Sequence, residues 1–145
     1  MSLAEEVDLL KRIPLFANIE TSKLKLLAFT SERVHYKAGE VLFEQNAVGD
    51  SAYIIIDGSA DVLVETPSGP KTVATVSKND FVGEIAILCD VPRTATVRAA
   101  TELTTLRITK DLFFRMISEF PQMAVEIMRV LAQRLEKTTK LALQN

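Results

Sequence analysis

The order of apolar and polar positions divides the chain into three stretches. Spacings of three and four come first. Glu5 to Arg12 reads as a short helix with Val7 and Leu10 facing inward, stopped by Pro14. Thr21 is placed to cap a second helix carrying Leu24, Leu26, Leu27 and Phe29. From Arg33 the period falls to two. Val34 and Tyr36 alternate with His35 and Lys37, Ala38-Gly39-Glu40 turns the chain, and Val41-Leu42-Phe43 begins another strand. Tyr53 to Ile56 is a fully apolar strand. Asp57-Gly58 is a two-residue hairpin signal, with Ala60 to Glu65 as the return strand. Pro67 to Pro70 makes the next turn, Lys71 to Val76 the next strand, and Leu103 to Ile108 the last.

Helical spacing then resumes. Thr109 caps Lys110 to Ser118, and Pro121 suits the first position of a long final helix. Ala124, Ile127, Met128, Leu131 and Leu135 form its apolar stripe, which thins at Thr138 and Thr139 before Ala142. Such a stripe packs against the chain's own strands. Its near-heptad spacing also suits a homodimer through this helix. Many short strands between helices predict a mainly β fold, an antiparallel jelly-roll β-barrel with flanking helices. The whole chain, 1–145, reads as a single domain: helices over about 5–30, the barrel over 33–108 and C-terminal helices over 109–145.

Composition narrows the function. With 145 residues and 48% hydrophobic content, one packed core is expected. A net charge of −2 gives no general attraction to nucleic acid or an anionic membrane, and no nucleic-acid contact is expected from this chain. The single cysteine, Cys89, excludes an internal disulfide framework and fits a reducing, cytoplasmic setting. No apolar run reaches the length of a membrane span, and no signal peptide opens the chain. His35 is the only histidine, so the ligand cluster of a metal-dependent barrel enzyme cannot be assembled, and no metal site is expected. No signature joins Cys89 and His35 as nucleophile and base. Gly69-Pro70-Lys71-Thr72 lacks the second glycine and the following helix of a nucleotide P-loop, and Pro70 removes an amide such a loop needs. The chain therefore reads as a binding module, with no catalytic residues.

The chemistry is concentrated between Phe81 and Ala99. Gly83 lets backbone approach a ligand closely, and the short apolar run Glu84 to Leu88 reads as one or two helical turns. Amides at the start of such a turn are unpaired donors suited to an anion. Arg93 offers a fixed cation with a planar fork of donors for phosphate oxygens, and Thr94 adds a hydroxyl. Glu84 is an acceptor for sugar hydroxyls. An anion cradle beside a sugar acceptor points to a small phosphorylated sugar. Glu84 and Arg93 as a plain structural salt bridge is the competing reading, and it leaves the glycine, the short helix and Thr94 unexplained.

Gly83, Glu84, Ala86, Pro92, Arg93, Thr94, Ala95, Thr96 and Val97 closely resemble the phosphate-binding cassette of cyclic nucleotide-binding domains. Val82, between Phe81 and Gly83, departs from the commonest pattern, and Asn46 stands where the family usually has glycine in the loop before Asp50. Asn tolerates the left-handed backbone such a loop needs. The resemblance implies a sensor of cAMP or cGMP that needs no further cofactor. It implies that Arg93, Thr94 and the amides of Gly83, Glu84, Ile85, Ala86 and Ala95 hold the cyclic phosphate, and that Glu84 accepts from the ribose 2′-hydroxyl. Val62, Val73, Val82 and Ile85 would wall the sugar and base. Thr94 is compatible with either base. The segment Ala132 to Lys140 resembles the family's adenine-contacting region, which would turn Arg134 and Thr138 toward the ligand from a closing helix. The alternative is a protein-interaction or dimerisation module of the same fold with its pocket unused.

Overall fold

The computed structural model describes residues 2–13 and 16–144. Its elements in chain order are α1 (Leu3–Lys11), α2 (Thr21–Thr30), β1 (Glu32–Tyr36), β2 (Val41–Phe43), β3 (Ser51–Asp57), β4 (Ser59–Thr66), β5 (Gly69–Ser77), β6 (Phe81–Val82), α3 (Glu84–Cys89), β7 (Thr96–Ala99), β8 (Leu103–Thr109), α4 (Lys110–Glu119) and α5 (Pro121–Gln144). The expected antiparallel jelly roll takes the form of two four-stranded sheets, ordered β1-β8-β3-β6 and β2-β7-β4-β5. Every strand pair is antiparallel.

Strand β3 explains the layering. It is buried on both faces from Ser51 to Ile56. Ala52, Ile54 and Ile56 join Leu106, Ile108 and Phe81 in a core shared with the helices, which contribute Leu10, Leu24, Phe113, Met123 and Ile127. Tyr53 and Ile55, one residue out of phase, face the second sheet and pack with Ala60, Val76, Val82, Val97, Ala99 and Leu103. One alternating strand thus supplies two cores.

The expected hairpin at Asp57-Gly58 does not form. Strand β3 pairs with β6 and β8, whereas β4 pairs with β5 and β7, so the chain leaves one sheet and enters the other at this corner. Gly58 has φ +89, and a Cβ there would lie 2.2 Å from the Glu102 carbonyl oxygen. The glycine serves a sharp corner against Glu102. The hairpin is instead β4–β5, closed through Pro67-Ser68 with Thr66 opposite Gly69.

The helices differ from expectation at their ends and faces. Ser2 caps α1 by accepting from the Glu5 amide; Pro14, expected to stop this helix, lies outside the described residues. Thr21 is the first residue of α2 rather than its cap, and Glu20, at the cap, makes no side-chain capping bond. Leu24 and Leu27 are buried, but Leu26 and Phe29 point outward, Phe29 being 81% exposed. Thr109 caps α4 as expected, accepting from the Leu112 amide. On α5 the packed face is Met123 and Ile127, flanked by half-buried Ala124, Val130 and Leu131; Met128 and Leu135 turn outward. The side chain of Ala142 lies outside the described residues.

Candidate functional site

The site is assembled from three parts of the chain: the loop between β2 and β3, the segment β6–α3 with its following loop, and α5. The β2–β3 loop is tied to Arg93 through backbone. The Asn46 amide donates to the Arg93 carbonyl, and the Arg93 amide donates to the Ala47 carbonyl, both at 2.8 Å. Asn46 has φ 73, the left-handed conformation expected of it. Gly83 (φ 87) and Asp90 (φ 53) bracket the six-residue α3, and both adopt left-handed backbone.

Arg93 is 3% exposed. Its Nη1 donates to the Gly83 carbonyl at 2.8 Å and its Nη2 to the Ser51 carbonyl at 2.7 Å. The guanidinium lies 4.0 Å from the centroid of the Phe43 ring. The buried Nε has no hydrogen-bond partner among the described residues. Burial pulls the Arg93 pKa below its ordinary value, although guanidinium remains charged throughout the useful pH range. Room for this side chain depends on glycine: a Cβ at Gly83 would lie 2.6 Å from Arg93 Nη1, and one at Gly49 3.0 Å from Arg93 Cζ.

Glu84 is 2% exposed, so a carboxylate sits in the first turn of α3 almost without water. Its partner is not Arg93. Arg134 of α5 donates from Nη1 to Glu84 Oε1 and from Nη2 to the Phe81 carbonyl, each at 2.7 Å. The same guanidinium stands 4.9 Å from the Phe81 ring centroid. Burial raises the Glu84 pKa, and the opposing pull of Arg134 is smaller. The Glu84–Arg93 salt bridge considered from sequence does not occur among the ion pairs; the two residues serve different partners.

The remaining sequence-derived candidates divide by exposure. Val82 is buried in the inter-sheet core and Val62 is half-buried against it. Ala86 is buried, Ala95 is half-buried, and Thr94 and Ile85 are exposed. Val73 is 55% exposed. It sits at an irregularity of the β4–β5 ladder, where Val62 faces Ala74 and Leu63 faces Thr72, leaving Val73 without an opposite residue. The Thr138 hydroxyl donates to the Arg134 carbonyl within its own helix. Phe43, Gly49 and Ser51 were not among the candidates, yet all three hold Arg93. Their link to it spans more than forty residues of sequence, and only the glycine carried a local hint. No group of three His, Cys, Asp or Glu residues able to hold a metal occurs among the described residues. His35 Nδ1 is instead hydrogen-bonded to the Thr104 hydroxyl. A shallow apolar groove lies between α2 and α4, and none of its lining residues belongs to the Arg93–Glu84 cluster.

The family model described as the cyclic nucleotide-binding domain matches residues 33–120, which contain both sheets, α3 and the Arg93 loop. The chain belongs to this family. Within it, the chain is 29% identical over 132 residues to a CRP-like cAMP-activated global transcriptional regulator of Mycobacterium tuberculosis, covering 90% of this chain and 59% of the relative. It is 31% identical over 122 residues to the cAMP-dependent protein kinase regulatory subunit of Schizosaccharomyces pombe, covering 84% of this chain and 28% of that protein. Among solved structures, a cyclic nucleotide-binding-like protein from Brucella abortus is 30% identical, with a TM-score of 0.66 over 79% of this chain and 98% of that one. The chain thus spans less than two thirds of the length of both curated relatives. Both of these relatives are named as a regulator or a regulatory subunit. Among its described residues, no helix is long and apolar enough to cross a membrane.

Proposed function

We propose that this chain senses cAMP or cGMP by binding it at the Arg93–Glu84 cluster, and that α5 carries the response. The observation that supports this most directly is the state of Arg93: a dehydrated guanidinium in a glycine-lined recess, with a donor left over at Nε. A buried donor without a partner is costly unless an acceptor arrives. A cyclic phosphate supplies one. The amides of Glu84, Ile85 and Ala86, which open α3 and have no acceptor within the helix, extend the same cradle, with Gly83, Thr94 and Ala95 around it. Glu84, a short distance along the same segment, accepts from the ribose 2′-hydroxyl. Val62, Val73, Val82 and Ile85 meet the sugar and base, and burial of the exposed part of Val73 adds apolar contact. Arg134 and Thr138 approach from α5.

The ligand favours one packing of α3 and α5 over another, a population shift with no chemistry on the nucleotide. The exposed face of α5 supports a homodimer. Val125, Met128, Ala132 and Leu135 follow spacings of three, four and three, and all are exposed, Met128 at 60% and Leu135 at 68%. Exposed Cys89, with no disulfide partner, suits a reducing cytoplasm. The test is calorimetric titration of the purified chain with cAMP and with cGMP, after mass spectrometry has checked for co-purified nucleotide. Micromolar or tighter binding of either supports the sensor. An empty pocket that takes up neither rejects it in favour of an interaction module.

A further inference from the structure

A second polar cluster lies beside the Arg93 recess, around Arg107. Arg107 stands in a row that crosses the first sheet. Glu32 of β1 is opposite it on one side and Tyr53 of β3 on the other, and Tyr53 is opposite Val82 of β6, the residue before Gly83. Arg107 Nη1 donates to Glu32 Oε2 at 3.4 Å, and its Nη2 donates to Asp50 Oδ2 at 3.2 Å. The Tyr53 hydroxyl is within hydrogen-bonding reach of the same guanidinium. Asp50 joins this cluster to the candidate site. It lies between Gly49, which faces Arg93 Nε, and Ser51, whose carbonyl accepts from Arg93 Nη2. Its backbone is fixed by the Lys110 amide, which donates to its carbonyl at 2.9 Å, and by the pairing of Ser51 with Thr109. Its exposed carboxylate is held by Arg107 and by the Ser51 hydroxyl, which donates to Oδ1 at 3.0 Å.

We infer that Arg107 is a positioning residue for the anion recess: it holds the Asp50 carboxylate away from Arg93, and so leaves the Arg93 charge and its free Nε for a phosphate. The inference rests on the phosphate reading of Arg93 and adds what keeps the chain's own carboxylate off that cation. Three observations carry it. Asp50 acts electrostatically on both guanidiniums, yet among the described ion pairs it joins Arg107. Arg93 is bonded to two neutral carbonyls, while the acidic side chains that act on it, Asp50 and Glu84, are paired with Arg107 and Arg134. Its Nε has no partner among the described residues and faces Gly49, one residue from Asp50. A carboxylate released from Arg107 therefore meets a dehydrated cation with an unpaired donor one residue away, and a charge-assisted bond there is stronger than a neutral one. That bond occupies the donor and offsets the charge that a phosphate needs. The Arg107–Asp50 pair is largely in water and adds little to stability. Its effect is to set where the carboxylate points.

The experiment is calorimetric titration with cAMP of wild type, Asp50→Asn, Arg107→Met and the double variant carrying both substitutions. Each protein is first checked by circular dichroism, and Arg107→Gln replaces Arg107→Met if the methionine variant does not fold. Arg107→Met is expected to weaken cAMP binding by about fivefold or more. Asp50→Asn and the double variant, which lack the carboxylate, are expected to bind within about twofold of wild type. Any of three results overturns the inference: unchanged affinity in Arg107→Met, a double variant as weak as Arg107→Met, or Asp50→Asn as weak as Arg107→Met. A second readout needs no ligand. In nitrogen-labelled protein without nucleotide, the proton resonance of the Arg93 Nε–H group is expected to move downfield in Arg107→Met, as a donor bonded to carboxylate does, and to return in the double variant. A resonance that stays in place in Arg107→Met overturns the inference. A wild type that binds neither cAMP nor cGMP overturns the phosphate reading alone, and the resonance then decides the Asp50 contact by itself.

Discussion

Gly49 faces the Arg93 guanidinium with no room for a side chain between them: a Cβ on Gly49 would lie 3.0 Å from Arg93 Nε and Cζ, and 2.5 Å from the Ala86 Cβ. The β2–β3 loop is therefore one wall of the recess that holds the guanidinium. Replacing Gly49 with valine forces Arg93 and α3 apart. Overpacking of this kind costs about 1–3 kcal/mol. Gly49→Val is expected to lower the urea midpoint by a corresponding amount and to weaken nucleotide binding. A variant with unchanged midpoint and affinity would show that the loop yields freely.

Arg93→Ala removes the cation and both of its bonds to the Gly83 and Ser51 carbonyls. A charge-assisted hydrogen bond contributes about 1.5–3 kcal/mol, so affinity for the cyclic nucleotide is expected to fall by roughly ten- to a hundredfold or more. Titration calorimetry on a variant whose circular dichroism matches wild type reads this directly. Retained affinity would remove Arg93 from the site.

Glu84 gives opposite expectations for stability and recognition. Burial, only partly opposed by Arg134, raises its pKa above the value in the unfolded chain. A carboxylate raised on folding binds its proton more tightly in the folded state. Its protonated form favours the fold below the unfolded pKa, and that benefit disappears as pH rises through the folded pKa. Above the folded-state pKa the ionised side chain is a net burden on the ligand-free protein. Glu84→Gln is expected to raise the melting temperature at pH 7 by about 1–4 °C, with no gain at pH 4. It is also expected to reduce the preference for the ribonucleotide over its 2′-deoxy analogue. Equal discrimination by variant and parent would free Glu84 of the ribose role.

The outward face of α5 makes a separate expectation. Met128→Glu and Leu135→Glu place charges on the exposed heptad seam without touching Met123 or Ile127. Sedimentation equilibrium is expected to show a dimer for the parent and a monomer for either variant, with melting measured at a concentration where the parent is monomeric little changed. A parent that stays monomeric at high micromolar concentration would leave this face for another partner.

Local features stood out in the sequence where one short segment carried them. The Gly83-Glu84 pair and the Pro92-Arg93-Thr94 triplet suggest an anion cradle because their residue types and spacing fall within a few positions, and Arg93 and Glu84 are both buried in the structure. Thr109 as a cap and Asn46 in left-handed backbone followed from intrinsic preference. The Asp57-Gly58 corner misled because a hairpin and a change of sheet call for the same dipeptide. Only the distant Glu102 carbonyl, and the partners of β3 and β4, distinguish them. Leu26 and Phe29 are as apolar as Leu24 and Leu27 yet lie exposed, because the face of a helix that meets the core is chosen by tertiary contacts. The Arg134–Glu84 bond joins residues fifty positions apart, a separation over which no local pattern carries information.

The burial of Arg93 has a consequence for the conditions under which the protein works. Cations on a protein surface attract anions through solvent, and mobile ions weaken that attraction over a screening length of about 8 Å at physiological salt. Arg93 is stripped of water by the fold itself, and its neighbours are backbone carbonyls, a phenyl ring and glycines. Dissolved salt has little access to it. A phosphate held there would be gripped through geometry, and the occupancy of such a site would follow the concentration of its ligand rather than the ionic strength of the surroundings.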